Sequence, residues 1–449
     1  MRAFRWLLIT SLLNVSQAWS QEDLERALGG FDEIEPSSDA ASSEATPSDR
    51  PWRLSGDAYL AGSINYAQAA PNAGQADPRG LSKLRAGGHL ILDAQLLGLE
   101  TRVSGVGFRD LVYPIKKREE FTHAVLQSYE ADLELHEAWV RASPLSQLDI
   151  KVGRQIVAWG RSETLRVVDV LNPIDNREPG VIDLADMRLP VAMSRLDYYV
   201  GPLSFTGIAI HESRLNKEPV PGSDFFPMGF PLPGFKRPAN GGNDTEWAAA
   251  ITGRFQGWDA ALHWARVYED RPRLDPDTGS LAFSRITLAG VTGNYARGNW
   301  LLKGELARSR GLRYFGVPGR RFARSDALLG VEYSGFRSAS LVIDVVGRKL
   351  HGFEHALQRV PDLAQELELE TAIRCTTSHL NDSLRVTVIG VLFGEWGNDG
   401  SAYRASATYE LGEGLSAEVG LAVYEGGDAA LFDFFDPNDR VFFLLRQSF

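Results

Sequence analysis

Residues His351 to His355 read His-Gly-Phe-Glu-His, the spelling of an inverted zinc-peptidase motif in which two histidines hold the metal and the glutamate activates its water. That chemistry needs both histidines on one face of a stable helix and a third ligand downstream. Here Gly352 interrupts the motif, a strand pattern gives way to a loop across it, and it stands alone. A serine hydrolase is no better served: Gly-x-Ser-x-Gly is absent, and none of the eight histidines lies in a recognisable nucleophile context. Phosphate-loop and dinucleotide fingerprints are also missing. Cys375 is the single cysteine, so no intrachain disulfide can form, and it is expected on an outward strand face. These residues point to a protein that is not an enzyme and needs no cofactor.

A second set of charged residues recurs at every other position instead. Lys83, Arg85, His89 and Asp93 share one parity, as do Glu100 and Arg102, then Glu130, Asp132, Glu134 and His136, then Arg195 and Asp197, and further on Lys303, Glu305, Arg374, Arg385, Arg404 and Glu418. Successive side chains of a strand point to opposite faces, so such rows belong on one side of a sheet. The other parity is apolar: Trp300, Leu302, Gly304 and Leu306 oppose Lys303 and Glu305, while Leu384, Val386, Val388 and Leu392 oppose Arg385 and Thr387. One face suits lipid and the other water. The closing stretch Asp439 to Phe449 repeats the pattern, with Val441, Phe443, Leu445 and Phe449 on one face and Arg440, Arg446 and Ser448 on the other, as in the last strand of an outer-membrane barrel.

The chain's beginning fits export. Arg2 and Arg5 precede an apolar run from Trp6 to Leu13 and a small-x-small site, Ala18-Trp19-Ser20, where a signal peptidase could cut before Gln21. Removal of that leader takes the formal charge from −11 to −13, which disfavours nucleic acid as a partner. Residues 21 to about 50 hold a possible short helix and then a Ser/Ala/Pro/Asp/Glu-rich run that buries almost nothing. They are expected to form a flexible periplasmic tail or a small plug. No later stretch approaches 18 uninterrupted apolar residues, so membrane insertion would have to use strands closed into a barrel.

From residue 51 to 449 the chain divides into alternating segments of about the 10 residues that a tilted strand needs to cross a bilayer. Tight connections such as Leu97-Gly98, Gly201-Pro202 and Gln256-Gly257 alternate with long polar ones, among them Asp110 to Gln127, Gly160 to Arg188 and Arg214 to Asn243. Such a meander gives an all-β, antiparallel up-and-down barrel of about 18 strands, with 16 also possible, and with both termini on the tight-turn, periplasmic side. Trp52, Tyr66, Trp247, Trp258, Tyr268, Trp300, Tyr333, Trp396, Tyr409 and Tyr424 fall near strand ends, where aromatic girdles belong.

A barrel of this size leaves an aqueous lumen unless something fills it. The two longest connections are the candidates to narrow it, the second carrying six prolines with Phe225, Phe226, Phe230 and Phe235, which would expose an apolar patch if it stayed outside. Parity fails at one place: Leu148, Ile150 and Val152 face lipid, which would place Arg154 there too. A bulge at Gly153 would return Arg154 to the lumen. It and Trp159 would then anchor the following loop, with Asp169, Asp175, Arg177 and Glu178 as pairing candidates. Arg85, Arg102, Glu134, Arg195, Asp197, Arg374 and Arg385 complete the candidate lining of the constriction, many of them expected to pair with charges on neighbouring strands.

Several of these segments look familiar together: Gly29 to Glu33, Gly153-Arg154-Gln155 followed by Trp159-Gly160, Asp169-Val170-Leu171-Asn172-Pro173, Asp175 to Pro179, and Arg195 to Tyr199. They resemble a family of proteobacterial outer-membrane proteins catalogued as a domain of unknown function. Its members are often encoded near inner-membrane exporters of the resistance-nodulation-division type and periplasmic proteins resembling lipoprotein carriers. The resemblance implies envelope transport, with outer-membrane lipid, a periplasmic carrier and such an exporter as partners. Two functions follow as expectations: a passive or gated outer-membrane conduit, with lipid or another hydrophobic molecule as a candidate solute, and a non-conducting lipid-binding or assembly component of an export complex.

Overall fold

The computed structural model describes residues 51–449 apart from 72–75, 181–183, 227–232, 276, 360–361, 430–431 and 433–434. The leader and the tail expected over residues 1–50 lie outside the described residues. The strands in chain order are β1 Trp52–Asn65, β2 Gly80–Leu96, β3 Leu99–Asp110, β4 Ala131–Leu145, β5 Leu148–Gln155, β6 Val191–Val200, β7 Leu203–Ile210, β8 Phe235–Lys236, β9 Glu246–Phe255, β10 Trp258–Tyr268 and β11 Arg273–Leu274. There follow β12 Leu281–Ala282, β13 Arg285–Arg297, β14 Trp300–Leu312, β15 Phe322–Phe336, β16 Ala339–His351, β17 Leu367–His379, β18 Leu384–Phe393, β19 Gly400–Gly412, β20 Leu415–Glu425 and β21 Arg440–Ser448. The two-residue strands β8, β11 and β12 form a small separate sheet, and the other strands make one 18-stranded sheet.

That sheet closes on itself. Each long strand pairs antiparallel with its neighbours in sequence, and β21 returns to β1 from Asp57↔Ser448 to Asn65↔Arg440. Phe449 N donates to Gly56 O at 2.9 Å and Gly56 N to Phe449 O at 3.0 Å, so the seam of closure is bonded to its end. Closure leaves the sheet with no first or last strand, the condition for strands to lie in hydrocarbon. The count is 18, the larger of the two considered from sequence.

Alternation sets the two faces as expected. Leu90, Leu92, Leu262, Trp264, Leu306, Val345, Val441, Phe443 and Leu445 are exposed on the outside, while Lys303, Glu305, Asp326, Asp344 and Arg440 are buried on the inside. Trp52, Tyr66, Trp247, Trp258, Trp300, Trp396 and Tyr409 stand exposed near strand ends. Tyr424 does not belong to that girdle. It is buried on the inner face, packed on Phe225 at 5.5 Å between ring centroids.

The inner face is not polar throughout. Met193, Ile208, Ile210, Ala248, Ala250, Ala265, Val267, Leu288, Leu328 and Val346 form one buried cluster with Val157, Leu165, Val167, Val168 and Leu171 of the segment after β5. The inward residues Val191 and Met193 of β6, Ile208 and Ile210 of β7, Ala248 and Ala250 of β9 and Ala265 and Val267 of β10 are therefore apolar, like the outward ones beside them, as strand segments covered on both sides must be. The cover is the long connection that leaves the wall at Gln155.

Candidate functional site in the lumen

The segment from residue 156 to 190 is folded onto itself before it touches the wall. Asn172, with no solvent exposure, accepts from Val157 N at 2.8 Å and donates to Gln155 O at 3.2 Å and Leu189 O at 2.9 Å, joining the segment's two ends. Asp169 accepts from Trp159 N at 3.2 Å and from Arg188 Nε at 3.0 Å, with Arg166 Nε 3.3 Å away. The Asp169-Val-Leu-Asn172 run thus supplies buried acceptors that a connection this long needs to satisfy its backbone away from water.

One side of the segment is held by β10, β14, β16 and β17. The Glu305 carboxylate on β14 accepts from the backbone N–H groups of Arg161, Ser162 (3.2 Å) and Val168 (3.3 Å). Ser162 Oγ donates to Asp344 Oδ2 at 2.6 Å. Arg161 pairs with Asp259, Arg374 Nη1 donates to Glu163 at 2.9 Å, and Arg348 Nη2 donates to Arg166 O at 3.1 Å. The Trp159 ring lies 4.8 Å from His263.

The other side is held by β2 and β20, across the ring of strands. Glu178 pairs with Lys83 and, at 3.2 Å, with Arg85, which also reaches Asp110 at 3.4 Å. Tyr424 Oη donates to Pro179 O at 2.6 Å. Gly180, at φ +77°, lies against that tyrosine, so a side chain there would be strained and would crowd the ring. Arg177 is clamped by Asp175 and by the carbonyl of Ser128. Burial opposes ionisation of Glu178, but Lys83 and then Arg85 prevail and hold its carboxyl well below the usual range. With anchors on β14 and β16 at one end and on β2 and β20 at the other, the segment crosses the lumen.

The second long connection locks onto the first. Asn176 N donates to Lys217 O at 2.7 Å and Lys217 N to Ile174 O at 3.0 Å, a short ladder between the two. Asp224 lies 3.5 Å from Arg440 and its carbonyl accepts from Asn438 at 3.1 Å, while Phe225 packs between Tyr424 and Phe435. Both long loops are thus bound to inward-facing residues.

A third connection, after β10, adds a titratable group. The Asp270 carboxyl is pushed up to about 7 by burial, with Glu269, Asp169 and Glu218 adding and Arg166 opposing. The folded chain binds this proton more tightly than the unfolded chain, so the contribution to stability is complete below the ordinary value of 3.8 and is lost as pH rises through about 7. Trypsin cleavage at Arg166 and Arg188 should therefore accelerate between pH 6 and 8 relative to an unfolded substrate, and Asp270→Asn should flatten that rise.

Of the residues singled out from sequence, Arg85, Asp175, Arg177 and Glu178 meet at one end of the crossing segment, Trp159 and Asp169 lie within it, and Arg374 meets its other side. Arg102, Arg195 and Asp197 are paired within the wall instead: Arg102 with Asp93 at 2.7 Å and with Glu137 at 3.5 Å, and Arg195 with Asp197 at 2.7 Å. Arg385 lies exposed beside the turn that precedes β18.

Arg154 requires a correction. No residue is inserted at Gly153: the β5–β6 register runs unbroken through Gly153↔Met193 and Arg154↔Ala192. Arg154 keeps the outward parity of Val152, and its guanidinium meets Glu212 at 3.0 Å, Glu134 at 3.4 Å and the carbonyls of Leu135 and Pro190, not Asp169, Asp175 or Glu178. Gly153 is needed for another reason. At φ +130° a Cβ there would fall 2.2 Å from Ala138 O, so the strands approach more closely than a side chain allows. The histidines of the apparent zinc motif are engaged elsewhere, His351 with Ser325 at 2.8 Å and His355 with Gln358 at 3.4 Å, while Glu354 pairs with Arg320.

Sequence reasoning placed Glu305 on the inner face but not at the site, and it missed Asp344, Asn172 and Lys217. The double-sided apolar character of Val191 to Met193, Ile208 to Ile210 and Ala248 to Ala250 was the available signal that something covers the inner wall.

The family model described as "Protein of unknown function (DUF1302)" matches residues 6–409, and the chain belongs to that family. No curated protein matches it. Among solved structures, Acinetobacter baumannii OccAB4 is similar at a TM-score of 0.53 and 10% identity, covering 90% of this chain and 100% of that one. A. baumannii OccAB3 follows at 0.52 and 10%, covering 89% and 98%. Pseudomonas aeruginosa OpdK, solved with vanillate, gives 0.50 and 11%, covering 88% and 98%. At such identities the likeness is one of fold: a closed, outer-membrane-type barrel.

Proposed function

We propose that this member of the DUF1302 family is an outer-membrane conduit whose lumen is narrowed and gated by residues 156–190. The observation that carries this reading is the anchoring of one folded segment to opposite walls, at Glu305 and Asp344 on one side and at Lys83 and Arg85 on the other. Passage is then confined to what the segment leaves free. The outward leucines and the exposed terminal aromatics support placement in an outer membrane, and the charged, apolar and small-x-small order of the first twenty residues supports delivery there by a cleaved leader.

The solute favoured is a lipid or another largely apolar molecule handed on by a periplasmic carrier and an exporter of the resistance-nodulation-division type, as the family resemblance implies. Residues 156–190 cover an apolar stretch of the inner wall, and displacement of the segment would open a surface that suits such a cargo better than a simple electrolyte. The alternative, a non-conducting lipid-handling component of an export complex, draws on the same wall. Single-channel recording of the refolded mature protein in a planar bilayer separates them. Small, interrupted steps with a defined reversal potential are expected of the gated conduit; silence from a heat-modifiable barrel would favour the alternative.

A further inference from the structure

One part of the wall is not held by a backbone ladder. Strand β4 pairs with β3 along its length, through Arg109↔Ala131. Its ladder with β5 runs only from Ala138↔Arg154 to Leu145↔Leu148. Among the described residues no strand continues that ladder beside Ala131 to Glu137. Strand β5 has only 8 residues, which at about 3.3 Å each and a tilt near 45° climb roughly 19 Å of an apolar band about 25 Å tall. The break therefore begins inside the membrane, on the side of the long loops. The outward side chains beside it are apolar and exposed, as a lipid-facing surface would be: Leu133 is 89% exposed and Leu135 50%.

Side chains close the break instead. Arg154 reaches across from the end of β5 to donate to Leu135 O at 2.6 Å and to pair with Glu134 and Glu212. Arg214 also pairs with Glu134 and donates to Pro190 O at 2.8 Å, and Lys217 reaches Asp132 and Glu134, both at 2.9 Å. Unlike a ladder, such a latch can open by exchanging one carboxylate partner for another, with no strand unzipped.

We propose that the β4–β5 seam is a lateral port between the lumen and the outer leaflet, latched by Arg154, and that its solute is an amphiphile with an apolar body and an anionic head. The head group replaces Glu134 or Glu212 on Arg154, Arg214 and Lys217, while the body leaves between Leu133 and Leu135 and the lipid. This assignment rests on the conduit reading and gives it a substrate class and an exit.

A membrane-confined alkyl maleimide tests it in reconstituted full-length barrels that lack the lipid-facing thiol, in a Cys375→Ser background. One reporter is His136→Cys on β4 beside the seam, where the native ring packs 5.4 Å from that of His89; the other is Ser309→Cys, inward on β14 under an unbroken ladder. Arg154→Ala should speed alkylation at position 136 several-fold and leave position 309 unlabelled, with Arg154→Lys between parent and Ala. Dodecanoate should accelerate labelling of position 136 in the parent, and dodecyltrimethylammonium should not. Should Arg154→Ala lose heat-modifiability, Glu212→Gln carries the same expectation. Equal rates in parent and variant, or labelling of both positions alike, would overturn the port; no acceleration by dodecanoate would overturn the anionic head group. Conductance through the lumen is a separate reading, so loss of the port and loss of the conduit are distinguishable.

Discussion

Glu178→Gln should detach one end of the crossing segment and enlarge the channel. The carboxylate lies buried between Lys83 and Arg85, and its replacement leaves two cations that Asp110 on β3 only partly offsets. Removing one partner of a buried ion pair costs about 3–5 kcal/mol, mostly through the charge left behind. The barrel itself, held by backbone ladders that this substitution does not touch, should remain heat-modifiable, so the loss falls on the contact between segment and wall. Single-channel steps should become larger and longer, and trypsin should reach Arg177 and Arg188 faster. Glu178→Asp, which keeps the charge, should lie closer to the parent. Because Lys83 and Arg85 depress this carboxyl, the contribution is present above the ordinary value of 4.5 and is lost only as pH falls far below it, so the difference between parent and variant should persist across the neutral range.

Glu305→Ala should release the opposite end. Its carboxylate, only 1% exposed, accepts from the backbone N–H groups of Arg161, Ser162 and Val168. An orphaned buried donor costs about 1–3 kcal/mol, and alanine orphans three at once. The turn over residues 161–168 should lose its seat on the wall, taking the Ser162–Asp344 bond with it. Hydrogen exchange of those three amides reports the change directly: strong protection in the parent and none in the variant. Glutamine at this position keeps an acceptor of similar reach and should retain part of the protection, which separates loss of the cradle from loss of charge.

Much of the barrel was legible because its wall obeys two periods: the alternation of lipid-facing and inward residues, and the alternation of tight and long connections. Both are local properties, written in stretches such as Trp300 to Ala307 and in turns such as Leu97-Gly98. The inward loops were legible only by length and by the phenylalanines near Phe225. Their partners were not, because Glu178 and Lys83 lie 95 residues apart and Ser162 and Asp344 182, separations that leave no spacing in the sequence. Arg154 shows the limit most clearly. Its parity was read correctly as outward, and the error lay in supposing that a buried charge must turn inward. The wall opens beside Leu135, and the guanidinium occupies the break instead. Tyr424 failed for the converse reason: an aromatic near a strand end was assigned to lipid, but Pro179 and Phe225 meet it from inside.

The most direct test of the central claim is a comparison of single-channel conductance between the mature protein and a variant in which residues 158–188 are replaced by a short Gly/Ser connector. An 18-stranded barrel without its crossing segment is wide enough to hold an aqueous channel. The variant should therefore give steady ohmic steps several-fold larger than the parent's, with the heat-modifiability of both unchanged. Equal conductance in two properly folded barrels would mean that residues 156–190 do not control the lumen.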